Sequence, residues 1–248
     1  MQQGIPEFPY SEDALRLRQF LYEYWCAEGH GPNLRGVHEA LDLPREAIIA
    51  AYKQLQLGNM VVLDPTSQNF NVLKMLPFSS FPSQVRVYID DRFHSYAGCA
   101  MESVAISRMP PFEGKELRLE SYCSCCLKPV TVVMREGDIV SRNPESVLIH
   151  VSTIPYEWGI PTLMTMCDSM NFVIDADHAE VYERKIGRRG VLFTIDQAKP
   201  FVSGVADNRM WDYNWPNHPL TPASVIDGVR RLGIDISNWD PASVKGGG

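Results

Sequence analysis

The strongest constraint on this chain lies in its first third, where three stretches of helical periodicity are followed at once by two short strand-like runs. Across residues 11–26 the side chains Leu15, Leu17, Phe20, Leu21, Tyr24 and Trp25 recur at roughly helical spacing. This predicts an amphipathic helix with Ser11 as its N-cap and Asp13 in its first turn. The stretch 29–33, with two glycines and a proline, breaks it. A short helix is expected over 34–41, and the Asp42-Leu43-Pro44 turn leads into a third over 45–57, with Ile48, Ile49, Tyr52, Leu55 and Leu57 on its apolar side. Beyond Gly58, strands are expected over 60–63 and 70–73, separated by the turn-rich residues 64–69. Three helices closed by a β-hairpin is the order of a winged helix-turn-helix, and residues 10–76 read as a small domain of that kind.

A Pro/Ser-rich stretch, 77–83, reads as a linker. After it come a strand over 84–89, an Asp90-Asp91 turn, and a helix over 93–106 that is rich in Ala, Met and Glu. Strands follow over 116–122, 130–135 and 146–152, then a helix over 162–170, a strand over 172–174 and a helix over 177–185. Strands that cluster rather than alternate strictly with helices indicate an α+β class. The expected division is a winged-helix-like domain with its linker over 1–80, a mixed α/β domain over 81–209, and an aromatic-rich tail over 210–248. That tail carries Trp211, Tyr213, Trp215 and Trp239, and is expected to pack on the body or, as a homodimer contact, on a second copy of the chain.

Charge narrows the function. Lys plus Arg number 23 against 30 for Asp plus Glu, a formal net charge of −7. Residues 1–80 are themselves acidic, and the expected third helix offers only Arg45, Lys53, Gln54 and Gln56 outward. That is thin for phosphate contact, so a nucleic-acid partner, and with it a ligand-sensing regulator, is disfavoured. No apolar run has the length of a membrane span, and the first residues lack a basic cap followed by an apolar core. A cytoplasmic location with no membrane partner is the expectation. The six cysteines, at 26, 99, 123, 125, 126 and 167, do not have the spacing of a disulfide framework, and in a reducing compartment they read as free thiols, ligands or nucleophiles.

Two of these cysteines have carboxyl neighbours. If a helix opens at Cys99, backbone N–H groups favour its thiolate, and Glu102, three residues on, shares its face. The same spacing also fits a small buried cysteine beside a solvated glutamate. Cys167 sits among Met164, Met166 and Met170, which fits core packing, whereas Asp168 beside it points to an edge or a pocket. Cys123 and Cys126 form a single CxxC, without the second pair that a structural zinc site needs. His94 is close to Cys99 in sequence, but no histidine pair has metal-ligand spacing.

The order of these features resembles the alkylmercury lyase family. Cys99-Ala100-Met101-Glu102 is similar to the family's Cys-Ala-x-Asp motif. Ser121-Tyr122-Cys123, running on to Lys128-Pro129-Val130, looks like its structural-cysteine stretch. Cys167, followed by Asn171-Phe172-Val173, falls where a second catalytic cysteine belongs, and residues 190–198 resemble the closing strand and helix. The resemblance implies an α+β alkylmercury-lyase-like domain and cleavage of a carbon–mercury bond. Cys99 and Cys167 would grip mercury and Glu102 would relay a proton, with Asp168 and Tyr96 in contact with the substrate. It implies a small-molecule substrate, external thiols as partners, and no cofactor, Hg(II) being the bound product. Soft Hg(II) prefers thiolates, which is why such a site needs two of them. The chain departs from the family in carrying Glu102 for an aspartate, and Asp168 where the archetype has a further cysteine. Both changes leave open a lyase or isomerase of a small organic substrate on the same scaffold.

Overall fold

The computed structural model describes residues 10–58, 60–158, 162–202 and 222–239. Helix α1, Glu12–Glu28, is capped by the Ser11 hydroxyl, which accepts the Ala14 N–H at 3.2 Å, and ends at left-handed Gly29. It packs on α3, Arg45–Leu57; Leu17, Leu21 and Trp25 of α1 and Ile48, Ala51, Tyr52 and Leu55 of α3 are buried, Trp25 stacking on Phe78, and α2, Leu34–Leu41, connects the two helices. Strands β1, Val61–Leu63, and β2, Val72–Met75, then form the expected hairpin. The second strand begins two residues later than the periodicity predicts. Phe70 adopts a positive φ of 56° and belongs to the turn, which carries the ladder on to Lys74 and Met75.

The residues read as a linker contain a strand, β3, Phe78–Ser79, which pairs with β2 and with β5, Arg92–Ala97. One antiparallel sheet therefore runs across the expected boundary at residue 80, in the order β1-β2-β3-β5-β4-β6-β7-β8. Its remaining strands are β4, Arg86–Ile89, β6, Glu116–Tyr122, β7, Pro129–Arg135, and β8, Asp138–Asn143. β8 escapes sequence reading because it is an edge strand with almost no buried alternation; Glu136 and Gly137, both at positive φ, fold it back on β7.

The helix expected over 93–106 is a correction of more consequence. Asp90 and Asp91 have φ of 46° and 64°, the backbone of a two-residue hairpin turn, so the chain returns as β5. Only Ala100–Ser103, α4, is helical, which puts Cys99 at a strand-to-helix junction. A second sheet, β10-β9-β11, comprises Met170–Val173, Leu148–Val151 and Val191–Thr194. Helix α5, Thr162–Cys167, precedes β10, and α6, Ala176–Ile186, follows it. The helix expected to reach residue 170 ends at Cys167, because Met170 is already paired with Val151. In the tail, helix Pro222–Arg231 buries Val225, Ile226 and Val229 and packs near residues 155–157, and Trp239 is buried. Trp211, Tyr213 and Trp215 lie outside the described residues.

Candidate active site

Leaving β5, the chain passes through Gly98 to Cys99, whose extended backbone (φ −164°, ψ 178°) makes it the N-cap of α4. The Cys99 Sγ accepts the Glu102 N–H at 3.4 Å and lies 3.9 Å from the Met170 Sδ. The Glu102 carboxyl lies on the same side, with an oxygen within 4.8 Å of that sulfur. Gly98 leaves room for the carboxyl in this position, since a Cβ there would stand 2.0 Å from the Glu102 Oε2 and push that oxygen aside.

Cys167 reaches the same point from the other side. It is the last residue of α5, followed by a turn in which the Asp168 and Ser169 N–H groups bond back to Met164 and Met166. Its Sγ donates to the Glu102 Oε1 at 3.1 Å. One donor atom each from Cys99, Glu102 and Cys167 lies within 4.8 Å of the others, and all three residues are buried. Among the described residues this is the only such group of three or more His, Cys, Asp or Glu side chains.

Burial sets the protonation of this cluster. It pushes the Glu102 carboxyl up to about 7, against the opposing pull of the Cys167 hydrogen bond, the Lys74 charge and Cys99. It also drives the Cys167 thiol well above its ordinary range; Cys99 and Glu102 add to that rise and Lys74 opposes it. The resting site thus holds a neutral Cys167 thiol against a carboxyl that exchanges its proton near neutrality. A thiol and a carboxyl in hydrogen-bond contact, beside a second sulfur, can bind one soft electrophile and deliver one proton to it.

Of the other residues singled out in the sequence, Asp168 sits at the rim with its side chain 66% exposed, paired with Lys74. Tyr96 lies opposite Ser79, itself opposite Lys74, so it shares their sheet face two strands away, its ring edge-on to Phe93. His94 is engaged with the Cys26 carbonyl and the Ser95 hydroxyl. The Cys123–Cys126 segment is a turn between β6 and β7, held by the Cys123 N–H to the Lys128 carbonyl and the Leu127 N–H to the Cys123 carbonyl. Sequence reasoning missed Gly98, Met170 and Lys74. Gly98 carries no local signature, and the other two join the site through contacts 71 and 94 residues apart.

The family model of alkylmercury lyase matches residues 78–205. Among solved structures, the mercury-bound form of MerB2 is similar with a TM-score of 0.63, at 16% identity, over 82% of this chain and 92% of that one. At that identity the likeness concerns the fold. Comparison with curated protein sequences finds no match.

Proposed function

The chain belongs to the alkylmercury lyase family, and from that premise we propose that Cys99, Glu102 and Cys167 carry out its carbon–mercury lyase reaction by thiolate capture and protonolysis. The observation that carries this reading is the Cys167 thiol donating to the Glu102 carboxylate beside the Cys99 sulfur. The Cys99 thiolate takes R–Hg(II) from its external thiol. Glu102 accepts the Cys167 proton, and the freed sulfur becomes the second mercury ligand. Two thiolate donors raise electron density on the metal-bound carbon. Glu102 then gives the proton to that carbon as the Hg–C bond breaks. R–H leaves, both sulfurs hold Hg(II), and Glu102 is again a carboxylate; external thiols remove the metal. No further cofactor enters this scheme. Asp168 at the rim and Tyr96 on the adjoining sheet face are the proposed substrate contacts.

Purified full-length protein given phenylmercury and excess small thiol is expected to release benzene. Stoichiometric mercury binding with no hydrocarbon released overturns the reading. Gly98→Ala supplies a finer test. Its methyl group must displace the Glu102 carboxylate, so cleavage is expected to fall about 100-fold while both sulfurs still bind Hg(II). Unchanged benzene release by a folded Gly98→Ala variant would refute the assigned position of the proton donor.

The three helices and the β1–β2 hairpin support a winged-helix-like reading of the N-terminal region, here serving as part of the enzyme. Among the described residues, no helix is long and apolar enough to cross a membrane. Dependence on external thiols fits a reducing cytoplasmic setting.

A further inference from the structure

Lys74 and Arg18 are the buried Lys or Arg side chains among the described residues, and Lys74 is the one beside the thiol–carboxyl cluster. It lies in β2, before residue 78 where the family match begins, yet its side chain is only 3% exposed. A buried ammonium is costly unless matched by anions and hydrogen bonds. Its Nζ bonds to the Asp168 Oδ1 at 2.9 Å and approaches the Gly98 carbonyl at 3.4 Å, with the Phe81 ring 5.6 Å away. These two polar partners are the residue after Cys167 and the residue before Cys99, so one ammonium ties together the two chain segments that bring the sulfurs. The Asp168 carboxylate is largely solvated and by itself does not account for a cation placed so deep.

The charge count of the proposed reaction supplies the missing reason. After capture, two thiolates hold one R–Hg cation while Glu102 is neutral, leaving one net negative charge. After protonolysis the dithiolate of Hg(II) is neutral and Glu102 is a carboxylate, again one net negative charge. A single buried cation beside the cluster offsets that charge at both stages, because Asp168, its other anionic partner, is two-thirds exposed and screened by water. Lys74 already acts electrostatically on both Cys167 and Glu102. The same region also beds the segment of the second thiol: Met164 and Met166 of α5 pack against Val62 of β1 and Leu76, just after β2.

We propose that Lys74, contributed by the N-terminal hairpin, is the charge-compensating and positioning residue of the mercury site, joining the segments that carry Cys99 and Cys167. This inference rests on the carbon–mercury lyase reading, but its test does not need turnover. Full-length wild type, Lys74→Met, Lys74→Gln and Lys74→Arg are compared for Hg(II) affinity by competition with a small thiol, for the thiolate-to-mercury absorption band, and for kcat and KM with phenylmercury. Glutamine retains a donor for Gly98 and Asp168 but not the charge; arginine retains the charge. Both neutral variants are expected to lose about tenfold or more in Hg(II) affinity, with arginine restoring most of it. Thermal melts show which variants fold, and either folded neutral variant decides the matter. Wild-type affinity in a folded Lys74→Met or Lys74→Gln overturns the proposal. If wild type binds Hg(II) but releases no benzene, the lyase reading falls, while the affinity comparison still judges Lys74.

Discussion

Replacing Glu102 by glutamine is expected to separate capture from cleavage. The variant keeps both sulfurs and takes up Hg(II) with wild-type stoichiometry, but benzene release falls by about 100- to 10,000-fold, the range for loss of a general acid–base group. Glutamine can neither take the Cys167 proton nor return it to carbon. In wild type, Glu102 must be ionised to receive that proton, so kcat/KM is expected to rise with pH through about 7. A pH profile flat across that region, or a glutamine variant with near-normal turnover, rules out this role.

The same substitution should make the protein more stable under alkaline conditions. Below pH 4.5, the ordinary value for a glutamate, the carboxyl is protonated in folded and unfolded chains alike. As pH rises from 4.5 toward 7, the unfolded chain releases a proton that the folded site retains, so stability falls. Above about 7 the buried carboxylate carries its full penalty, on the order of 3 kcal/mol from a shift of that size. Denaturant unfolding is therefore expected to show Glu102→Gln gaining stability at pH 8 and little at pH 4.5. Equal gains at both pH values would mean the carboxyl is not held protonated by burial. A functional group that destabilises its own fold is the familiar cost of an active site.

The second large effect concerns the thiols. Cys99→Ser and Cys167→Ser each leave one sulfur, and a hydroxyl is a poor ligand for a soft metal. Benzene release is expected to fall to the thiol-only background in both. The two variants should differ in what remains. Cys167→Ser preserves the capping sulfur of Cys99 and should still bind R–Hg(II) through one thiolate. Cys99→Ser leaves Cys167, whose proton is held tightly by burial, and should capture organomercurial more slowly. Mass spectrometry of the adducts resolves the two cases, and equal rates of capture by both variants would contradict the assignment of Cys99 as the first ligand.

Much of this molecule is written locally. Helical periodicity and caps specified α1 to α3 because each buried face repeats every three to four residues within one segment. The alternation in β6 and β7 and the Asp90-Asp91 turn were equally plain. The 93–106 segment misled because Ala, Met and Glu favour a helix by propensity, whereas the hairpin turn before it and pairing with β3 and β4 decide for a strand. The β3 strand was hidden in a Pro/Ser stretch because two residues of pairing leave no periodic trace.

The cysteines and the glutamate divide in the same way. By itself the sequence determined that Cys99 and Glu102 stand three apart, which is one turn of a helix, and that a second thiol follows in chain order. Only the tertiary structure decided that Cys167 donates to Glu102 and that burial holds that carboxyl near neutrality. It alone brought Lys74, which in the linear charge count is one more cation among six in the first 80 residues, between Gly98 and Asp168. Capping and periodicity are short-range and can be read along the chain. Desolvation and charge compensation depend on which distant segments meet, and that is set by how the β1–β3 strands pack against β5 and α5.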